Sequence, residues 1–104
     1  FTCAAVQGAN FYRLSANECA ALAHYGQIVA EQRDASRAVT DLLKENYALR
    51  SDFASGDLFG ATIDMIQWVF ERPAFEPAVV FEMVWHQCAD NGGRVPMRRA
   101  ANDA

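Results

Sequence analysis

At 104 residues the chain has room for one domain, and an apolar content of 52% is globular, so a two-domain arrangement and a disordered chain are both excluded. The net charge of −4 argues against DNA or RNA as partner, because phosphate contacts need a basic face and the cluster Arg94, Arg98 and Arg99 sits in a stretch beyond the last helical pattern. No stretch approaches the ~20 consecutive apolar residues of a transmembrane helix.

In chain order, residues 1–12 come first. Phe1-Thr-Cys-Ala-Ala-Val-Gln-Gly-Ala9 is uncharged, apolar and rich in small residues. It reads either as the end of a signal peptide, with a cleavage point before Asn10, or as a packed N-terminal arm. A retained Cys3 favours the arm.

Ser15-Ala-Asn-Glu18 is a capping box and opens the first helix, which runs to about Gln32. Leu22, Tyr25 and Val29 mark its apolar face, flanked by Cys19 and Ile28. Asp34-Ala-Ser36 offers N-caps for a second helix reaching about Arg50, with Val39, Leu42, Leu43 and Tyr47 on its apolar face. After a turn-rich break at 51–56, Ser55 or Asp57 caps a third helix that ends by Arg72, since Pro73 disfavours helical geometry in the residue before it. Leu58, Phe59, Ile63, Met65, Ile66, Trp68, Val69 and Phe70 cover most of its circumference. Such a helix is central to a fold or partly covered by a partner, and three neighbours in so small a chain bury it with difficulty. Glu76-Pro77 starts a fourth helix, Val80, Phe81, Val84, Trp85 and Cys88 share one side of it, and Asn91-Gly92-Gly93 stops it. No alternating run suggests a strand. The expected fold is all-α, a small bundle of about four short helices over residues 13–93, followed by a flexible basic tail at 94–104.

Of the three cysteines, Cys19 and Cys88 lie near the start of the first helix and the end of the last, ends that an up-and-down four-helix bundle brings together. A Cys19–Cys88 disulfide would require an oxidising compartment. The alternative is three reduced thiols, since cysteine packs well as a small hydrophobe. No C-x-x-C pair is present, which removes zinc-knuckle, thioredoxin-like and haem-attachment motifs.

Chemistry-bearing constellations are sparse. His24, His86 and Met83 could form a copper or haem-iron set. However, the Glu-x-x-His signature of di-iron bundles is absent, and Glu82 and His86 have the i,i+4 spacing of a surface pair. No G-x-S-x-G elbow, phosphate loop or H-E-x-x-H occurs, so neither an enzyme nor a cofactor is expected. What remains is apolar surplus. Trp68, Phe70, Phe75, Phe81 and Trp85 gather around the Arg72-Pro73 corner, and aromatics with arginine dominate the energetics of protein contacts. These residues are the candidate interface, set against the alternative of a well-filled core.

The order of pieces resembles a loose class of small exported bacterial helical proteins of unassigned function. The resemblance rests on Asn17-Glu-Cys-Ala-Ala-Leu-Ala23, Gln32-Arg33-Asp34, the Arg72-Pro73 corner, and the Phe-x6-Cys run from Phe81 to Cys88. It covers residues 17–90, implies periplasmic or secreted export and a disulfide, and brings no catalytic residue. The expectation is therefore an exported, non-enzymatic protein-binding domain, acting as an accessory subunit or adaptor in a larger complex or homo-oligomer. An inhibitor or immunity protein, presenting Asp52 and Asp57 to a basic cleft, is the second expectation, and a metal or haem binder the third.

Overall fold

The computed structural model of the chain describes residues 11–96, so the readings made for Phe1–Asn10 and for residues 97–104, Cys3, Arg98 and Arg99 included, lie outside the described residues. The element order is β1 (Phe11–Arg13), α1 (Ala16–Asp34), α2 (Val39–Ala48), a 3-10 turn (Arg50–Asp52), α3 (Gly56–Phe70), α4 (Pro77–Ala89) and β2 (Arg94–Pro96). The molecule is a small all-α bundle to which a two-stranded sheet is added.

Helix α1 begins where its capping box requires. The Ser15 hydroxyl accepts from the Glu18 amide at 3.1 Å, and Glu18 Oε1 accepts from the Ser15 amide at 2.8 Å. Its buried positions, Cys19, Leu22, Ala23, Gly26, Val29 and Ala30, follow the i, i+3, i+4 stripe. Four of the six are small, so α4 can run close alongside. The helices are antiparallel: Cys19 lies by Cys88, Gly26 by Val80 and Val84. The Cys19 and Cys88 sulfurs stand at disulfide distance, 2.03 Å, with Cα atoms 5.6 Å apart. This seam leaves Ile28 outside at 43% exposure and Tyr25 half-buried, whereas the periodicity placed both at the apolar face.

The second helix differs from expectation at its start. Ser36 does not cap it. Ser36 adopts φ 69° and closes α1 instead, its amide donating to the Arg33 carbonyl while the Arg37 amide reaches that of Gln32. Helix α2 then begins at Val39, with Ala38 at the N-cap position and no side chain satisfying the first amides. In α3, Ser55 rather than Asp57 is the cap, accepting from the Leu58 amide at 3.0 Å. The Ser55 hydroxyl also donates to Glu18 Oε2 at 3.2 Å, joining the starts of α1 and α3. Helix α3 stops at Phe70, two residues short of the expected end, and the Val69 carbonyl in its last turn accepts from both the Arg72 amide and the Arg33 side chain.

Two expectations are overturned by the sheet. Phe11–Arg13 pairs antiparallel with Arg94–Pro96, Tyr12 opposite Val95, so strands are present and the segment from 94 to 96 is not a loose tail. Three-residue strands carry too little alternation to be visible in sequence. The pairing is held by a tight connection after α4, in which the Gly93 amide donates to the Cys88 carbonyl at 2.8 Å and the Gly93 carbonyl accepts from the Leu14 amide at 2.7 Å. Strand β1 also explains how α3 is covered. Tyr12 lies over Gly60 and donates to Asp64 Oδ2 at 2.9 Å, and the Arg13 amide donates to Asp57 Oδ2 at 3.1 Å. With that cover, Phe59, Ala61, Thr62, Ile63, Met65, Ile66 and Val69 are all buried, so of the two expectations for this helix, central or covered by a partner, the chain itself largely meets the first.

Candidate functional site

The α3–α4 corner is built around one arginine. The Arg33 side chain, at the end of α1, is only 7% exposed. Its guanidinium donates to the carbonyls of Val69 (3.1 Å), Arg72 (3.0 Å) and Phe75 (2.6 Å), and to Asp34 Oδ1 (3.0 Å). The carbonyls at a helix C-terminus lack intrahelical donors and carry partial negative charge, so a forked cation there both satisfies and neutralises them. Arg33 thus fixes the path of the chain from the last turn of α3 to the start of α4.

On this frame sit the aromatics. Trp68 and Phe75 meet with ring centroids 5.9 Å apart. Arg72 places its guanidinium carbon 4.7 Å from the Trp68 centroid and donates to the Trp68 carbonyl at 3.2 Å. Phe81 and Trp85 lie on α4, one turn apart, and Phe81 meets the His24 ring edge-on at 5.6 Å. All six candidate interface residues, Trp68, Phe70, Arg72, Phe75, Phe81 and Trp85, are half-buried, and the five aromatics pack against the core with one side. The structure therefore gathers Trp68, Arg72 and Phe75 into one cluster and places Phe81 with His24 along the α1–α4 seam.

The residues named for metal binding are not assembled in this way. His24 lies against Phe81, whereas His86 is on α4 between Glu82 (3.4 Å) and Asp90 (3.0 Å), and Met83 is half-buried. Among the described residues no group of three or more histidine, cysteine or acidic side chains is placed to hold a metal ion. Asp52 and Asp57, expected to face a basic cleft, are both exposed, but the Asp57 carboxylate is engaged by the Arg13 amide.

A second region went unseen in the sequence. Phe59 takes Tyr47 and Phe53 edge-on, each at 5.2 Å, with the Arg50 guanidinium 5.1 Å from its ring. Beside this group a cavity of about 270 Å³ opens between α1, α2 and α3. Its walls are mostly apolar, and Tyr25, Glu45, Asn46 and Thr62 are the polar residues among them. The turn-rich reading of 51–56 concealed the cluster, because Phe53 sits in that break and Tyr47 looked like a core position.

No described helix is long and apolar enough to cross a membrane. Comparison with known proteins returned no matching family model, no matching curated protein and no matching solved structure.

Proposed function

We propose that this domain is an exported, non-enzymatic protein-binding module that acts as an accessory subunit or adaptor, meeting its partner through the Trp68–Arg72–Phe75 corner. The observation that carries the reading is the Arg33 clamp. Binding loses free energy when flexible side chains and loops must be ordered, and anchors already fixed in place avoid that loss. Here tryptophan, arginine and phenylalanine, three residue types that suit contact hot spots, stand on a turn whose carbonyls are held by one buried guanidinium. The cysteine pair supports an oxidising compartment, since such bridges persist outside the reducing cytosol.

The test places a photo-crosslinking residue at Ala74, exposed between Arg72 and Phe75, in the protein expressed in its native source. A discrete crosslinked species is expected, and W68A together with R72A should weaken the purified complex by about 30-fold or more, the loss of a hot-spot residue. A crosslink that W68A and R72A leave unchanged would overturn the assignment of this corner.

A further inference from the structure

We propose that the cavity between α1, α2 and α3 binds a small, mainly apolar molecule bearing a single hydroxyl group, of which a 4-alkylphenol is the type. This goes beyond the protein-binding reading and uses a different part of the molecule.

An unfinished hydrogen-bond pair lines this cavity. Asn46 is 5% exposed. Its Nδ2 spends both protons inside the protein, one on the Leu42 carbonyl at 2.8 Å and one on Tyr25 Oη at 2.9 Å. The contact to the Leu42 carbonyl needs a donor and so fixes which way round the amide lies. Two capacities are left over: among the described residues, no donor reaches Asn46 Oδ1, and no acceptor takes the Tyr25 hydroxyl proton. A polar group buried without a partner is costly and calls for an explanation; the Asn46 amide oxygen, on a residue almost wholly buried, is such a group, and the half-buried Tyr25 hydroxyl is bonded beside it. Both residues line the cavity.

The neighbours narrow the chemistry. Thr62 is satisfied, its hydroxyl donating to the Leu58 carbonyl at 2.7 Å. Glu45 is taken by Arg37, and that hydrogen bond raises the Arg37 pKa above its usual value. What the cavity offers is therefore one acceptor and one donor joined through the Asn46–Tyr25 bond, facing walls of Leu22, Leu49, Phe53 and Leu58. A hydroxyl answers both at once, accepting from Tyr25 and donating to Asn46. A carbonyl or an ether answers only Tyr25. A carboxylate would carry its charge into apolar walls beside Glu45.

Size agrees with this. An apolar cavity of about 150 Å³ is enough for benzene. At about 270 Å³, this one admits a ring with a short alkyl tail. Few convergent polar groups in a largely apolar concavity is the usual build of a small-molecule site.

The experiment uses the full oxidised chain and two probes of nearly equal shape, 4-propylphenol and propylbenzene, followed by calorimetry and by amide chemical shifts. The phenol should bind saturably at one site, with shifts centred on Leu22, Tyr25, Asn46, Leu49 and Phe53. Propylbenzene should bind about tenfold more weakly, the worth of roughly one net hydrogen bond. Tyr25→Phe removes one of the two hydrogen bonds and should narrow the difference between the probes to about threefold, and Leu58→Trp, which fills the cavity, should abolish both. Absence of saturable phenol binding up to its solubility limit overturns the proposal. So does equal affinity of the wild-type protein for the two probes, which would leave the polar pair to water, and so do shifts centred elsewhere. The comparison of probes on the wild-type chain decides the matter even if a variant fails to fold.

Discussion

At the scale of single residues, Arg33 carries more of the structure than its neighbours in sequence suggest. Gln32-Arg33-Asp34 reads as the wet end of a helix, and a sequence pattern has no means of showing that carbonyls 36 to 42 positions away will converge on one guanidinium. Its burial is tolerable because each face of the fork meets an acceptor and Asp34 supplies a countercharge. Arg33→Met should lower stability by roughly 2–4 kcal/mol, since it deletes several charge-assisted bonds and strands the Phe75 carbonyl. Arg33→Lys should recover only part of this, because an ammonium lacks the planar fork. Urea titration of the oxidised protein, read by tryptophan fluorescence, checks both; a Met variant within about 0.5 kcal/mol of wild type would remove the clamp from the account.

Among the elements, the split between what was legible and what was not follows the range of the interaction. The Ser15–Glu18 box, the Ser55 cap and the Glu76-Pro77 start involve residues within three or four positions of each other; sequence showed the first and last, and offered Ser55 as one of two caps. Ser36 misled because serine is a common N-cap, while its actual place, a left-handed residue ending α1, is one that glycine more often fills. The sheet and the cover it gives α3 arise from pairing between residues some eighty positions apart, with nothing local to announce them. The two glycines after α4 separate helix-stopping from strand-anchoring. Both have positive φ, but an added Cβ at Gly92 would meet nothing, whereas at Gly93 it would lie 1.9 Å from the Leu14 carbonyl oxygen. Gly92→Ala should therefore cost only about 1 kcal/mol of left-handed strain. Gly93→Ala should cost roughly 2–4 kcal/mol and release the Leu14 amide, because backbone on both sides must shift. Thermal melts give the two costs, and hydrogen exchange at Leu14 separates them. Equal costs, or an unchanged Leu14 amide, would show that β1 does not depend on this contact.

For the molecule as a whole, the question is how a core of mostly small seam residues holds two long helices together. Along α1 the buried positions facing α4 and α3 include alanine, glycine and cysteine, which allow close approach but bury little apolar area each. The sulfur link compensates at one end, as the Arg33 clamp does at the other. With a sequence separation of 69, closing the loop from Cys19 to Cys88 lowers the entropy of the unfolded chain by an amount worth about 4 kcal/mol. Against a typical stability of roughly 5–15 kcal/mol, that is a large share. Cys19 and Cys88 are 1% and 0% exposed, so a reductant should reach the bridge readily only after unfolding, and the two sulfurs should alkylate only once it is reduced. Reduction should move the urea midpoint down by the equivalent of about 3–5 kcal/mol, and a paired Cys19→Ala, Cys88→Ala variant should match the reduced protein to within about 1 kcal/mol, since both remove the same constraint. If reduction leaves the midpoint in place, the fold stands without its staple. An oxidising compartment would then not be needed for folding, and the search for a partner would have to include the cytosol.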